Sequence, residues 1–152
     1  MPQPITAMLG ETFPGTHSHW VPSKDMQSQR GRNALVTGGY GGIGLETVAE
    51  LLAHEIDVVY VVGRNRSKYD TAVNEWKRRG LDASDGQRTV FVNCDLGSLQ
   101  SVQKAGEEMK RIAREGKLHM FFASAGVMMN SVSETYLKQL AQVVIYMIPT
   151  SG

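Results

Sequence analysis

The stretch Thr37–Gly44, TGGYGGIG, places five glycines within seven residues. Each glycine costs backbone entropy on folding, so such a cluster needs a compensating use. One use is the close approach of bare backbone to an anion. Main-chain N–H groups can then surround phosphate oxygens, and a helix starting at the cluster adds its positive end. Two spacings coexist. Gly39, Gly41 and Gly44 follow G-x-G-x-x-G, and Thr37, Gly38, Gly42 and Gly44 follow T-G-x-x-x-G-x-G, with Tyr40 and Ile43 between them. Such a pattern is informative where a strand precedes it and a helix follows it.

The flanking sequence predicts both. NALVT, DVVYVVG, RTVFVNCD and LHMFFAS are apolar, β-branched or aromatic runs of strand length. They lack the alternation of a half-exposed sheet, so they read as buried parallel strands. Between them lie three helical stretches. In IGLETVAELLAHE, the residues Ile43, Val48, Leu51 and Leu52 fall at helical spacing. KYDTAVNEWKRRG stops at Gly80, and SLQSVQKAGEEMKRIAREG runs from a serine cap to Gly116. The order is β-α-β-α-β-α-β. Right-handed crossovers make this the N-terminal half of a doubly wound α/β fold, a Rossmann-type parallel sheet of strand order 3-2-1-4. The expected organisation is a poorly ordered lead-in over 1–30, a nucleotide-binding domain over 31–129 and a divergent tail over 130–152. In the tail, Ser131 and Glu134 form a capping box ahead of Leu137, Leu140, Val144 and Met147, although QVVIYMIP fits a strand as well.

Ligands of such a sheet bind at the carboxyl ends of its strands. The second strand ends in Arg64, Asn65 and Arg66, with Lys68 next. An acidic residue there would suit the ribose hydroxyls of NAD(H), whereas guanidinium groups suit a 2′-phosphate. The expected cofactor is therefore NADP(H), with NAD(H) the alternative. The same missing acid argues against S-adenosylmethionine. Asp57 lies at the textual distance for the ribose acid, but it precedes the strand and reads as a loop residue.

TGGYGGIG resembles the cofactor loop of the short-chain dehydrogenases/reductases, T-G-x-x-x-G-[IL]-G. NCDL, ending in Asp95 and Leu96, is similar to the family's Asp-Leu after the third strand. LHMFFASAGVM resembles its L-x-x-L-V-N-N-A-G-V-M, with Ser124, Ala125 and Gly126 at the cofactor side. The resemblance covers about residues 30–129, and looks nearest to retinol dehydrogenase-like and fungal reductases. It implies hydride transfer between a carbonyl or alcohol and a nicotinamide, and implies that Asp95 contacts the adenine. Ala123 and Ser124 replace the two family asparagines, so the contacts made there by asparagine are not carried over.

The family's proton donor is the tyrosine of Y-x-x-x-K. Tyr40, Tyr60, Tyr69, Tyr136 and Tyr146 are followed four residues later by Gly44, Arg64, Val73, Leu140 and Thr150. No catalytic residue is therefore assigned. The chain ends 26 residues after Gly126, which implies a truncated, cofactor-binding half. The alternatives are a non-catalytic nucleotide-binding or interaction protein, and a gene-model or splice fragment. Composition narrows the remaining classes. With 152 residues and a net charge of +1, neither nucleic acid nor an anionic membrane is the expected partner. No apolar run approaches the roughly 20 residues of a membrane span. Pro2, Pro4, Gly10 and Pro14 interrupt any signal peptide. The single cysteine, Cys94, excludes an internal disulfide and suits the cytoplasm; it reads as a packed thiol. His17 and His19 lack companions for a metal site. The fourth strand would leave an open edge, through which self-association is expected.

Overall fold

Side chains alternate between the two faces of a strand, so a strand apolar at successive positions needs cover on both sides. The computed structural model describes residues 20–113 and 117–126. Its central strands, β1 (Asn33–Thr37) and β2 (Val58–Gly63), are buried at every position. Ala34, Val36, Val59 and Val61 pack beneath α2 (Gly42–Ala53) and α3 (Arg66–Arg78). Leu35, Val58, Tyr60 and Val62 face the opposite way, against α4 (Leu99–Ile112). A short helix, α1 (Pro22–Asp25), precedes β1. With β3 (Thr89–Asn93) and β4 (Met120–Ala123), the sheet has the order β3-β2-β1-β4. All three pairings are parallel, with Val36 opposite both Val61 and Phe122, and Val61 opposite Phe91. The expected 3-2-1-4 half-sheet is thus the observed one.

The departures are local. Ile43 belongs to the apolar set by spacing, yet it is 82% exposed. The helix begins at Gly42, and of the expected set Val48, Leu51 and Leu52 are buried, with Gly44 and Ala49 completing that side. Helix α3 starts at Arg66 rather than Lys68, because Asn65 Oδ1 accepts the Lys68 N–H at 2.9 Å. Helix α4 opens as expected, with Ser98 Oγ accepting the Ser101 N–H at 3.4 Å. It ends at Ile112, because Ala113 turns extended, four residues short of the helical stretch's expected stop at Gly116. Of the expected lead-in, residues 20–30 are described: Gln29 is buried and donates its N–H to the His54 carbonyl at 2.7 Å. Residues 1–19, His17 and His19 included, and the tail from 127 onward lie outside the described residues.

Trp76 joins the two helices of one face. It is fully buried, and its Nε1 donates to the Leu45 carbonyl of α2 at 3.2 Å. Trp76→Ala is expected to cost about 3–5 kcal/mol, through the cavity and the lost bond. Asn65→Ala, which removes only the helix cap, should cost about 1 kcal/mol. Urea unfolding of both variants measures the difference. A Trp76→Ala loss no larger than the cap loss would contradict this packing.

Candidate functional site

The loop after β1 is built by three glycines at which a side chain would be strained, crowded or blocked. Gly38 leaves the strand at φ +65°, while its N–H still donates to the Val62 carbonyl at 2.8 Å. A Cβ at Gly44 would lie 2.5 Å from the Gly38 carbonyl oxygen and 2.9 Å from its carbon. The first turn of α2 therefore rests directly on the loop backbone. Gly39 is wedged between Val36 and Val48, and a Cβ there would meet both at 3.1–3.2 Å. Gly41 and Gly42 differ: a Cβ on either would meet nothing within 4 Å. Both border a cleft of about 600 Å³ at the carboxyl ends of the strands.

Helix α2 opens onto this cleft with Gly41 as its N-cap and no side-chain cap. Helices α3 and α4 are capped by Asn65 and Ser98. A helix N-terminus leaves its first N–H groups without intrahelical acceptors, and its dipole favours an anion. Tyr40 lines the neighbouring wall. A Cβ at Gly63 would overlap its ring, and its phenol oxygen accepts the Arg64 N–H at 3.3 Å.

Beyond Tyr40, the two arginines diverge. Arg64 is exposed, borders the cleft and has no carboxylate partner among the described residues. Arg66 bonds Asp70 at 2.8 Å, pairs with Asp85, and lies over the Tyr69 and Phe91 rings at 5.1 and 5.6 Å. It does not line the cleft, and neither does the capping residue Asn65. Asp57, before β2, accepts the Gly31 N–H at 3.0 Å, at the amino ends of the strands and away from the cleft.

The ends of β3 and β4 complete the lining of the cleft. Asp95 borders the cleft with one carboxylate oxygen, Oδ1, accepting the Gly97 N–H at 2.9 Å. Leu96 and Gly97 continue that lining. Ser124, Ala125 and Gly126 line the β4 side. Thr37 is buried behind them, and its Oγ1 accepts the Ala125 N–H at 3.1 Å. It holds β4 to β1 from outside the cleft. Gly39 and Gly44 likewise act through packing.

Sequence reasoning missed Val62, Gly63, Cys94 and Gly97 as cleft residues. Gly63 was legible only as a strand stop. Cys94 is buried, and that burial pushes its thiol up to about 11. A second cavity, of about 850 Å³, flanks α2 between Trp20, Met26, Ile43 and Phe122. Among the described residues no group of three His, Cys, Asp or Glu could hold a metal ion, and no helix is long and apolar enough to cross a membrane.

The family model for short chain dehydrogenase matches residues 32–148. The chain belongs to the short-chain dehydrogenase/reductase family. The match continues past Met129 into the tail, where the sequence motifs showed no resemblance. A short-chain dehydrogenase/reductase of Armillaria gallica is 36% identical over 123 residues, covering 81% of this chain and 37% of that protein. Human polyprenol dehydrogenase is 34% identical over 98 residues, or 64% of this chain and 28% of that protein. The chain thus spans under two-fifths of the length of these curated relatives. A solved short-chain dehydrogenase/reductase of Mycobacterium ulcerans superposes with a TM-score of 0.57 at 28% identity, covering 79% of this chain and 45% of that one. L-Sorbose reductase of Gluconobacter frateurii, solved with NADPH and L-sorbose, shares the fold at 20% identity with a TM-score of 0.58. It covers 81% of this chain and 46% of that one.

Within this family loop, the glycines should separate by contact. Gly44→Ala is expected to destabilise by about 1–3 kcal/mol, because rigid backbone must move. Gly41→Ala should change stability by less than about 0.5 kcal/mol, as its Cβ points into open space. Paired denaturation curves decide this, and equal losses would refute the assignment. At pH 8 the Cys94 thiol should be alkylated roughly a hundredfold more slowly than an unperturbed cysteine, since a raised thiol pKa depletes the thiolate. Labelling followed by mass measurement tests it, and labelling at the free-thiol rate would contradict its burial.

Proposed function

We propose that the chain binds NADP(H) in the cleft and serves hydride transfer between carbonyl and alcohol groups. The observation that carries this reading is the N-terminus of α2 at Gly41, with no side-chain cap, bordering the same cleft as Arg64, which has no carboxylate partner among the described residues. The residues fit the group. Gly41 and Gly42 leave room for close approach of phosphates, and the α2 N–H groups would hold them. Arg64 would take the 2′-phosphate, with the charge-assisted bonds a guanidinium makes to such a group. Asp95 and Leu96 would border the adenine, and Ser124, Ala125 and Gly126 the nicotinamide side. Family membership, and the NADPH in the sorbose reductase of the same fold, support the nucleotide class.

When bound, the nicotinamide supplies the hydride, and the protein's part is to orient it and to provide a proton. The 152 residues hold no Y-x-x-x-K, so no proton donor is proposed. A missing general acid costs about 10²–10⁴ in rate, and this chain alone is expected to bind cofactor with little turnover. The single, buried thiol supports placement in the cytoplasm. β4 pairs with β1, and its residues are half-buried, with Ala123 exposed. That supports self-association through its outer edge, which sedimentation over a concentration series would reveal as growth in mass. A constant monomer mass would refute it.

NADPH at about 100 times its dissociation constant should stabilise the fold by about 2.7 kcal/mol. Arg64→Ala should weaken NADPH on the order of tenfold to a hundredfold and leave NADH little changed, as expected for a lost charged hydrogen bond. Melting curves with each nucleotide provide the measurement. A cooperative transition unmoved by NADPH would refute the cofactor reading and favour an interaction protein. A larger shift with NADH would refute the role of Arg64.

A further inference from the structure

We infer that Tyr40 is the positioning residue that sets the cofactor preference, by extending the β1–β2 ladder one step and fixing the turn that carries Arg64. The inference rests on the NADP(H) reading above. In a parallel ladder, a residue donates to one partner and accepts from the residue two further along the same neighbouring strand. Gly38 donates its N–H to the Val62 carbonyl, so the register would next bring the Arg64 N–H to the Gly38 carbonyl. That bond is not made. Gly38 turns at φ +65°, and its carbonyl lies against Gly44 at the start of α2. The Arg64 N–H instead reaches the Tyr40 phenol oxygen at 3.3 Å. A side chain from the glycine loop thus supplies the acceptor that the backbone has withdrawn.

The neighbouring glycine makes this geometry feasible. The Tyr40 ring occupies the space that a Cβ at Gly63 would need. On its other side Gly63 is held by β3, its carbonyl accepting the Cys94 N–H at 2.8 Å. The end of β2 is therefore pinned by β3 through Gly63 and by Tyr40 through Arg64. Arg64 itself is exposed, with no carboxylate partner among the described residues to orient it. Its direction toward the cleft depends on where its backbone leaves the strand, and the phenol fixes that point. The 2′-phosphate is the one group that separates the two nicotinamide dinucleotides, so a looser Arg64 loses discrimination rather than general affinity.

The test compares NADPH and NADH affinities for wild type, Tyr40→Phe, Arg64→Ala and the double variant, using the melting shift and direct titration. Tyr40→Phe keeps the ring and removes the acceptor. It is expected to lower the NADPH/NADH affinity ratio roughly fivefold, the effect of one hydrogen bond. In the Arg64→Ala background the same change should leave the ratio untouched. An unchanged ratio in Tyr40→Phe, while Arg64→Ala lowers it, overturns this inference and leaves the NADP(H) reading standing. An unchanged ratio in Arg64→Ala overturns both. Amide exchange on the wild type gives a measurement that needs neither variant nor cofactor. The Arg64 N–H should be protected, and exchange as fast as that of an unbonded exposed loop amide would also overturn the inference.

Discussion

The contact between Gly44 and the Gly38 carbonyl governs the rest of the structure. Only a residue without a side chain lets the first turn of α2 rest on the loop that leaves β1. Once seated there, the helix lies across β1 and β2, and Val48, Leu51 and Leu52 close one face of the sheet. The Leu45 carbonyl then meets the Trp76 indole, and α3 takes its place beside α2. One close approach thus sets both the packing of a core face and the aim of a helix dipole at the cleft. The two demands differ in sign. Packing is favourable, whereas a glycine N-cap forgoes on the order of a few tenths of a kcal/mol relative to the Asn65 and Ser98 caps of the other helices. The omission falls at the helix end that opens onto the cleft.

Charge is distributed by the same logic. Arg66, Arg78 and Arg79 all have carboxylate partners: Asp70 and Asp85, Glu75, and Glu46 with Glu75. These pairs are largely exposed and each contributes little to stability. Arg64, by contrast, has no carboxylate within ion-pair distance among the described residues, although Asp95 borders the same cleft. A net charge of +1 conceals this, because the balance is local rather than global. Arg64 and Arg66 stand two positions apart, yet one begins a helix beside its acids and the other faces open space.

Much of this was legible in the sequence. Four apolar runs separated by helical stretches dictated a parallel sheet, and the first turn's glycines located the cleft. The unread part is tertiary. The pattern TGGYGGIG does not distinguish glycines that permit packing, Gly39 and Gly44, from those that line open space, Gly41 and Gly42. That division depends on Val36, Val48 and the Gly38 carbonyl, whose positions exist only in the fold. Asn65 and Arg66 looked like ligand residues because they sit at a strand end, but a helix starting there claims one as its cap and the other as a surface ion pair. Ile43 departs for the reverse reason: in the first turn of α2 it is Gly44, not Ile43, that faces the loop leaving β1. The partnership of Tyr40 with Gly63 joins residues 23 positions apart, and no local pattern carries it.

The two tryptophans occupy opposite environments. Trp76 is fully buried with its indole N–H bonded to a carbonyl, and Trp20 is 57% exposed beside α1. Their emission therefore divides by depth. Trp76 contributes the blue, quencher-resistant component, and Trp20 the red component that iodide can reach. Loss of the first reports the parting of α2 from α3, while a change confined to the second reports only the segment ahead of β1. The fold thus carries its own optical labels for global and local loosening, without any added dye.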